Sequence, residues 1–145
     1  MLCRVLLSLC CFLIISCESS SVDIYNTKNY SRITTPQDSI KNMYVVYQSN
    51  FNPTRFFLRS YWDNGKPQTT TYFHNKKKDG PVTMFLDNGV LIFAGRFNED
   101  KEEGSHKYYN SNGIIEKMEE FSQGRKIKTS YYNLDGKLDR VEMSN

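Results

Sequence analysis

Beyond an apolar opening run, polar and hydrophobic positions fall into a pattern whose landmarks return about every 24 residues. Asn64-Gly65, Asn88-Gly89, Asn112-Gly113 and Asp135-Gly136 recur at steps of 24, 24 and 23. An aromatic stands four residues before each of these glycines, at Tyr61, Phe85, Tyr109 and Tyr132. A phenylalanine follows eight residues after the first three, at Phe73, Phe97 and Phe121. Three columns on one period define an internal repeat, in which each unit stacks on its neighbours.

The Asn-Gly and Asp-Gly dipeptides tolerate the positive φ angles of a two-residue type I′ turn, so each repeat is expected to be a β-hairpin. Residues 84–87 would enter such a turn and 90–97 leave it. A two-residue turn fixes the register. Phe85 then faces Ile92, Gly80 faces Phe97, Tyr109 faces Glu116 and Gly104 faces Phe121, while Phe73 meets Phe56. A glycine leaves bare backbone that the opposite aromatic covers. Polar stretches at 74–79, 98–103 and 122–126 are expected to be longer connections between hairpins.

The pattern therefore predicts an all-β fold, an antiparallel meander of repeated β-hairpins forming a thin sheet over residues 41–145. Val90, Ile92 and Ala94 are expected on one face and Leu91, Phe93 and Phe97 on the other. A sheet apolar on both faces leaves aromatic surface open to a partner. A strand is expected near 43–47, and the first hairpin is expected to begin within 51–62 after Asn52-Pro53. Residues 18–40, rich in Ser, Thr and Asn, are expected to be irregular, with room for a short helix at 36–42.

The opening run is of another kind. Arg4 precedes an apolar stretch from Val5 to Ser16, the basic start and apolar middle of an export signal. Such a run is short for a membrane span, which needs about 20 apolar residues. Ile14-Ile15-Ser16-Cys17 resembles a lipobox, the processing motif of bacterial lipoproteins. That resemblance implies a signal peptide at 1–16, lipid on the sulfur of Cys17, and a polar tether over 17–40. Two or three acyl chains anchor durably where one does not, since each buried CH₂ contributes about 0.8 kcal/mol. The location implied is the bacterial cell envelope, at the outer membrane; plain secretion is the alternative.

The motifs Tyr61-Trp62-Asp63-Asn64-Gly65, Phe85-Leu86-Asp87-Asn88-Gly89, Tyr109-Asn110-Ser111-Asn112-Gly113 and Tyr132-Asn133-Leu134-Asp135-Gly136 resemble the MORN-repeat variant family. The resemblance covers roughly residues 56–140 and implies a stack of hairpins. Related bacterial chains are often exported lipoproteins, and some are named as the antitoxin or immunity half of a toxin pair. The third repeat departs from the pattern, being one residue short with an early Gly124.

Composition narrows the chemistry. All four cysteines lie within the first 17 residues, so the repeat region holds no disulfide framework or cysteine zinc site. A net charge of +3 is far from that of a nucleic-acid binder, and mean hydropathy of −0.60 argues against a polytopic membrane protein. His74 and His106 have no partner at ligand spacing. Glu99, Asp100, Glu102 and Glu103 lack the alternation of a calcium loop. Glu119 and Glu120 point to opposite faces of a strand, so they form no glycosidase pair. Lys76-Lys77-Lys78 and the acidic 99–103 stretch are expected at adjacent tips of opposite charge. Asp38-Ser39-Ile40 resembles a short O-glycosylation motif, and Asn29-Tyr30-Ser31 fits an N-glycosylation acceptor.

No nucleophile–base set emerges, and no enzyme activity, metal or cofactor is expected. The reading is an envelope-anchored interaction module contacting a protein or a glycan, with no nucleic acid, and the alternative is an immunity protein. The candidate contact residues are Tyr61, Trp62, Phe85, Tyr108, Tyr109, Tyr131 and Tyr132, because aromatics dominate binding hot spots.

Overall fold

The computed structural model describes residues 25–33 and 44–144. Cys17, the signal segment expected at 1–16, Asp38-Ser39-Ile40 and the helix expected at 36–42 lie outside the described residues. Among those described, a 3-10 turn at Thr27–Asn29 precedes β1 (Tyr30–Ile33), β2 (Tyr44–Ser49), β3 (Arg55–Tyr61), β4 (Pro67–His74), β5 (Lys77–Phe85), β6 (Leu91–Asn98), β7 (Lys101–Glu102), β8 (Gly104–Tyr109), β9 (Ile115–Ser122), β10 (Arg125–Tyr132) and β11 (Leu138–Met143). They form one antiparallel sheet in chain order, with the short β7 also on β6. This is the all-β meander of hairpins that the period predicts.

β1 corrects the expectation that 18–40 is irregular. Tyr30 pairs with Ser49 and is buried against Phe57 and Tyr72. One well-placed aromatic outweighs the polar composition around it.

The two kinds of turn are exchanged relative to expectation. At the first Asn-Gly turn the Trp62 amide donates to the Lys66 carbonyl at 2.9 Å, and the Gly65 amide to the Trp62 carbonyl at 2.8 Å. The same pair of bonds recurs at Leu86/Val90, Asn110/Ile114 and Asn133/Lys137. These are three-residue loops, each ending on a glycine in the left-handed region, with φ of +80° at Gly65 and +94° at Gly89. The two-residue turns with both φ positive lie at the opposite margin, at Asn75-Lys76, Glu99-Asp100 and Gln123-Gly124. They are closed by the pairs His74–Lys77, Asn98–Lys101 and Ser122–Arg125. The connections expected to be long are thus the tightest.

Lateral bonds hold these strained turns. The Asp100 amide donates to the Lys78 carbonyl at 2.9 Å and the Gly124 amide to the Glu102 carbonyl at 2.9 Å. The Lys78 amide donates to Asp100 Oδ1 at 2.7 Å, and Lys77 meets Glu99 at 3.5 Å. The oppositely charged tips do sit side by side.

Register follows from the loops. A three-residue loop slides the pairing by one beside the turn, so Phe85 faces Leu91 and Tyr109 faces Ile115 instead of Ile92 and Glu116. A bulge one step further takes up the slip. Beyond it Gly80 faces Phe97, Gly104 faces Phe121 and Phe56 faces Phe73, as expected. The bulge also moves Leu91 to the face of Phe85, away from Phe93, which pairs with Met84.

Each face has its own aromatic cluster. On the tyrosine face Phe57 is 1% exposed. It stacks on Tyr47 at 4.6 Å and meets Tyr30 and Tyr72 at 5.1 and 5.0 Å. Tyr25 lies across this cluster. Its carbonyl accepts from the Tyr72 hydroxyl at 2.9 Å, and its hydroxyl accepts from Arg96 Nη2 at 2.9 Å. Gly80 leaves room for it, since a Cβ there would strike the Tyr25 ring.

On the other face His106 is 2% exposed. Its ring lies 4.7 Å from Phe121, 5.5 Å from Phe93 and 5.6 Å from Phe97. The Arg96 carbonyl only accepts, so His106 Nε2 carries the proton in their 2.9 Å bond. Gly95 opens the space, because a Cβ there would lie 3.0 Å from the imidazole and 2.8 Å from Phe93.

Candidate interaction surface

The seven candidate aromatics are all half-buried, and they do not form one patch. Pairing parity puts Tyr108 and Tyr131 on the histidine face, where both are partners of Lys117 on β9. Tyr61, Phe85, Tyr109 and Tyr132 belong to the tyrosine face beside the three-residue loops, and Trp62 opens the first loop.

Most of them have a structural partner. The Tyr61 and Tyr47 hydroxyls are 2.8 Å apart. Burial, then the Tyr47 hydroxyl, raises the pKa of the Tyr61 phenol. The Trp62 indole N–H donates to the Phe85 carbonyl at 3.0 Å, tying the first loop to the second hairpin. Asn64 Nδ2 reaches the Asp87 carbonyl at 2.7 Å and Lys66 Nζ the Asn88 carbonyl at 3.0 Å, completing that bridge. Phe85 lines a groove of about 300 Å³ on the tyrosine face with Arg59, Pro67, Thr70, Tyr72, Pro81 and Thr83. Arg59 is fixed there by Thr70 at 3.0 Å and lies 5.1 Å above the Phe57 ring. The Tyr131 hydroxyl donates to Glu142 at 3.1 Å.

Tyr108 leads to a cluster that the candidate residues omit. Its hydroxyl donates to Glu119 Oε2 at 2.8 Å, and the Lys117 ammonium lies 4.1 Å above its ring. Glu119 Oε1 also takes Lys126 at 3.1 Å and Lys117 at 3.3 Å. Burial pushes the Glu119 carboxyl up, but Tyr108, Lys126 and Lys117 together outweigh it and hold the group below its ordinary value. Burial first, then the bond to Glu119, pushes the Tyr108 phenol up to about 12. The cluster is a fixed anion knotting β8, β9 and β10, with its proton acceptors already occupied.

The signal for this cluster was in the register. Once Gly104 faces Phe121, two steps along the same ladder set His106 opposite Glu119. Tyr25 carried no such signal, because its polar surroundings fall outside the period. Among the described residues, no three His, Cys, Asp or Glu side chains gather in a way that would hold a metal ion. Among the same residues, no helix is long and apolar enough to cross a membrane.

No known family profile matches the chain, and no curated protein shows significant similarity to it. Among solved structures, a crystal structure of TarM is similar at TM-score 0.37 and 12% identity, over 70% of this chain and 21% of that one. An S. aureus TarM mutant in complex with fondaparinux, alpha-GlcNAc-glycerol and UDP gives the same values. The chain spans about a fifth of the length of these TarM chains. Neither likeness carries an argument about function.

Proposed function

We propose that this chain is a non-catalytic, lipid-anchored envelope lipoprotein of MORN-like hairpin repeats, whose sheet is a binding platform for a protein or a glycan. The observation that carries the platform is the single layer. A sheet ordinarily covers its apolar face with a second layer. Among the described residues there is none, and the aromatics beside the loops stay half-buried. The groove at Phe85, Pro81 and Arg59 offers an apolar floor with one fixed cation. The anchor rests on the lipobox-like Ile14-Ile15-Ser16-Cys17.

Metabolic labelling with a fatty acid tests the anchor. Label is expected on the wild type and absent from Cys17→Ala; an unlabelled wild type rejects it. Capture from envelope extract tests the platform separately. Phe85→Ala and Tyr109→Ala are expected to lose the captured partner while keeping the wild-type circular dichroism spectrum. A partner retained by both variants removes these aromatics as contact residues.

A further inference from the structure

Among the described residues, β11 has no strand on its outer side, and the backbone phase and charges of that edge can be read. The Ser144 amide donates to the Ile127 carbonyl at 3.1 Å, and Thr129 faces Glu142 while Ser130 faces Val141. Antiparallel pairing alternates the direction of the backbone groups. Residues 142 and 144 therefore turn theirs toward β10, and Val141 and Met143 turn N–H and C=O outward. Every residue of β11 is exposed. Leu138, Val141 and Met143 are apolar yet 59%, 45% and 70% exposed. An exposed edge of this kind is a template for a further strand.

The opposite side of β11 holds a charge pair already in place. Arg140 Nε lies 3.1 Å from Glu142 Oε1. The guanidinium sits 3.8 Å above the Tyr131 ring, and the Tyr131 hydroxyl donates to Glu142 Oε2 at 3.1 Å. Tyr131 thus orients both charges on one face of the edge.

We propose that this edge is a self-association surface, on which a second copy of the chain adds its own β11 antiparallel about a two-fold axis at Val141. In that register the outward N–H and C=O of Val141 bond those of Val141 in the second copy. Arg140 faces Glu142 of the second copy, and Glu142 faces its Arg140, giving two opposite-charge pairs from one symmetric contact. An axis at Arg140 or at Glu142 instead sets a charge against itself. Of these three axes, only the one at Val141 sets opposite charges face to face. A six-residue strand pair is smaller than the standard interface of about 1,600 Å², so a weak dimer of about micromolar affinity is expected.

Sedimentation equilibrium of the purified chain across the micromolar range tests this. A monomer–dimer equilibrium is expected for the wild type. Val141→Pro removes an outward amide and spares the ladder to β10; it is expected to abolish the dimer at an unchanged melting temperature. Arg140→Glu and Glu142→Arg each set like charges opposite one another and are expected to weaken association about tenfold or more. Mixed together, the two variants restore opposite charges in both pairs and are expected to form a one-to-one heterodimer. A wild type that stays monomeric, a dimer that survives Val141→Pro, or a mixture that fails to associate overturns the proposal. So does growth beyond the dimer, which would mark head-to-tail pairing of β11 with β1.

Discussion

At Glu119, burial and hydrogen bonding pull in opposite directions, and the hydrogen bonds win. The consequence for stability has a definite sign. A carboxyl held lower in the folded than in the unfolded chain contributes stability that is fully present above the unfolded value, about 4.3. That contribution is lost as pH falls through the lower, folded value. The wild type is therefore expected to unfold at lower urea concentration as pH drops below about 4.3. Glu119→Gln is expected to be less stable at neutral pH and to show a shallower acid decline; an identical decline would place the acid sensitivity elsewhere. At this scale the sequence was legible where roles repeat and silent where they do not. The glycine–phenylalanine pairs Gly80–Phe97 and Gly104–Phe121 came from periodicity. Gly95 serves the imidazole of His106 on the neighbouring strand, and no spacing within its own segment encodes that. The single tyrosine Tyr25 falls outside every column, yet it spans Tyr72 and Arg96.

The hairpins show the same split at the scale of the element. Period and aromatic columns identified the meander of hairpins but not β1 or the full length of β5, and the dipeptide Asn-Gly did not determine its own turn. Asn-Gly suits two turns, a two-residue type I′ or the end of a three-residue loop with its glycine left-handed. Here the asparagine side chains favour the second. Asn64 Oδ1 accepts from the Lys66 amide at 3.0 Å and Asn88 Oδ1 from the Val90 amide at 2.9 Å, bracing the wider loop. The type I′ turns fall instead on residues such as Asn75-Lys76, with φ of +50° and +67°. A left-handed lysine carries a cost of roughly 1–2 kcal/mol that glycine avoids. Lys76→Gly is accordingly expected to stabilise the chain by about 1 kcal/mol and raise its melting temperature by a few degrees. Gly89→Ala, at φ +94°, is expected to move it the other way by a similar amount. Thermal melts of the two variants check both signs; destabilisation by Lys76→Gly would mean that the lysine side chain contributes more than its backbone strain removes.

Across the whole molecule, strands pair along the chain, so stability propagates from neighbour to neighbour as in other repeat architectures. The two aromatic clusters lie at different stations of that line. Phe57 with Tyr30, Tyr47 and Tyr72 joins β1 to β4. His106 with Phe93, Phe97 and Phe121 joins β6 to β9. Tyr25 connects the stations, because it touches Tyr72 of β4 and Arg96 of β6 at once. Truncating a buried phenylalanine costs about 3–5 kcal/mol, and in a nearest-neighbour array that loss stays local unless something transmits it. Phe57→Ala is expected to raise amide hydrogen exchange in β1 to β4 while leaving β8 to β10 protected. Tyr25→Ala is expected to cost less stability but to separate the two halves, so that β1 to β4 exchange independently of the rest. Exchange that rises equally along the whole sheet in Phe57→Ala would show one cooperative unit, and the lateral bonds between turns would then carry the coupling in place of Tyr25.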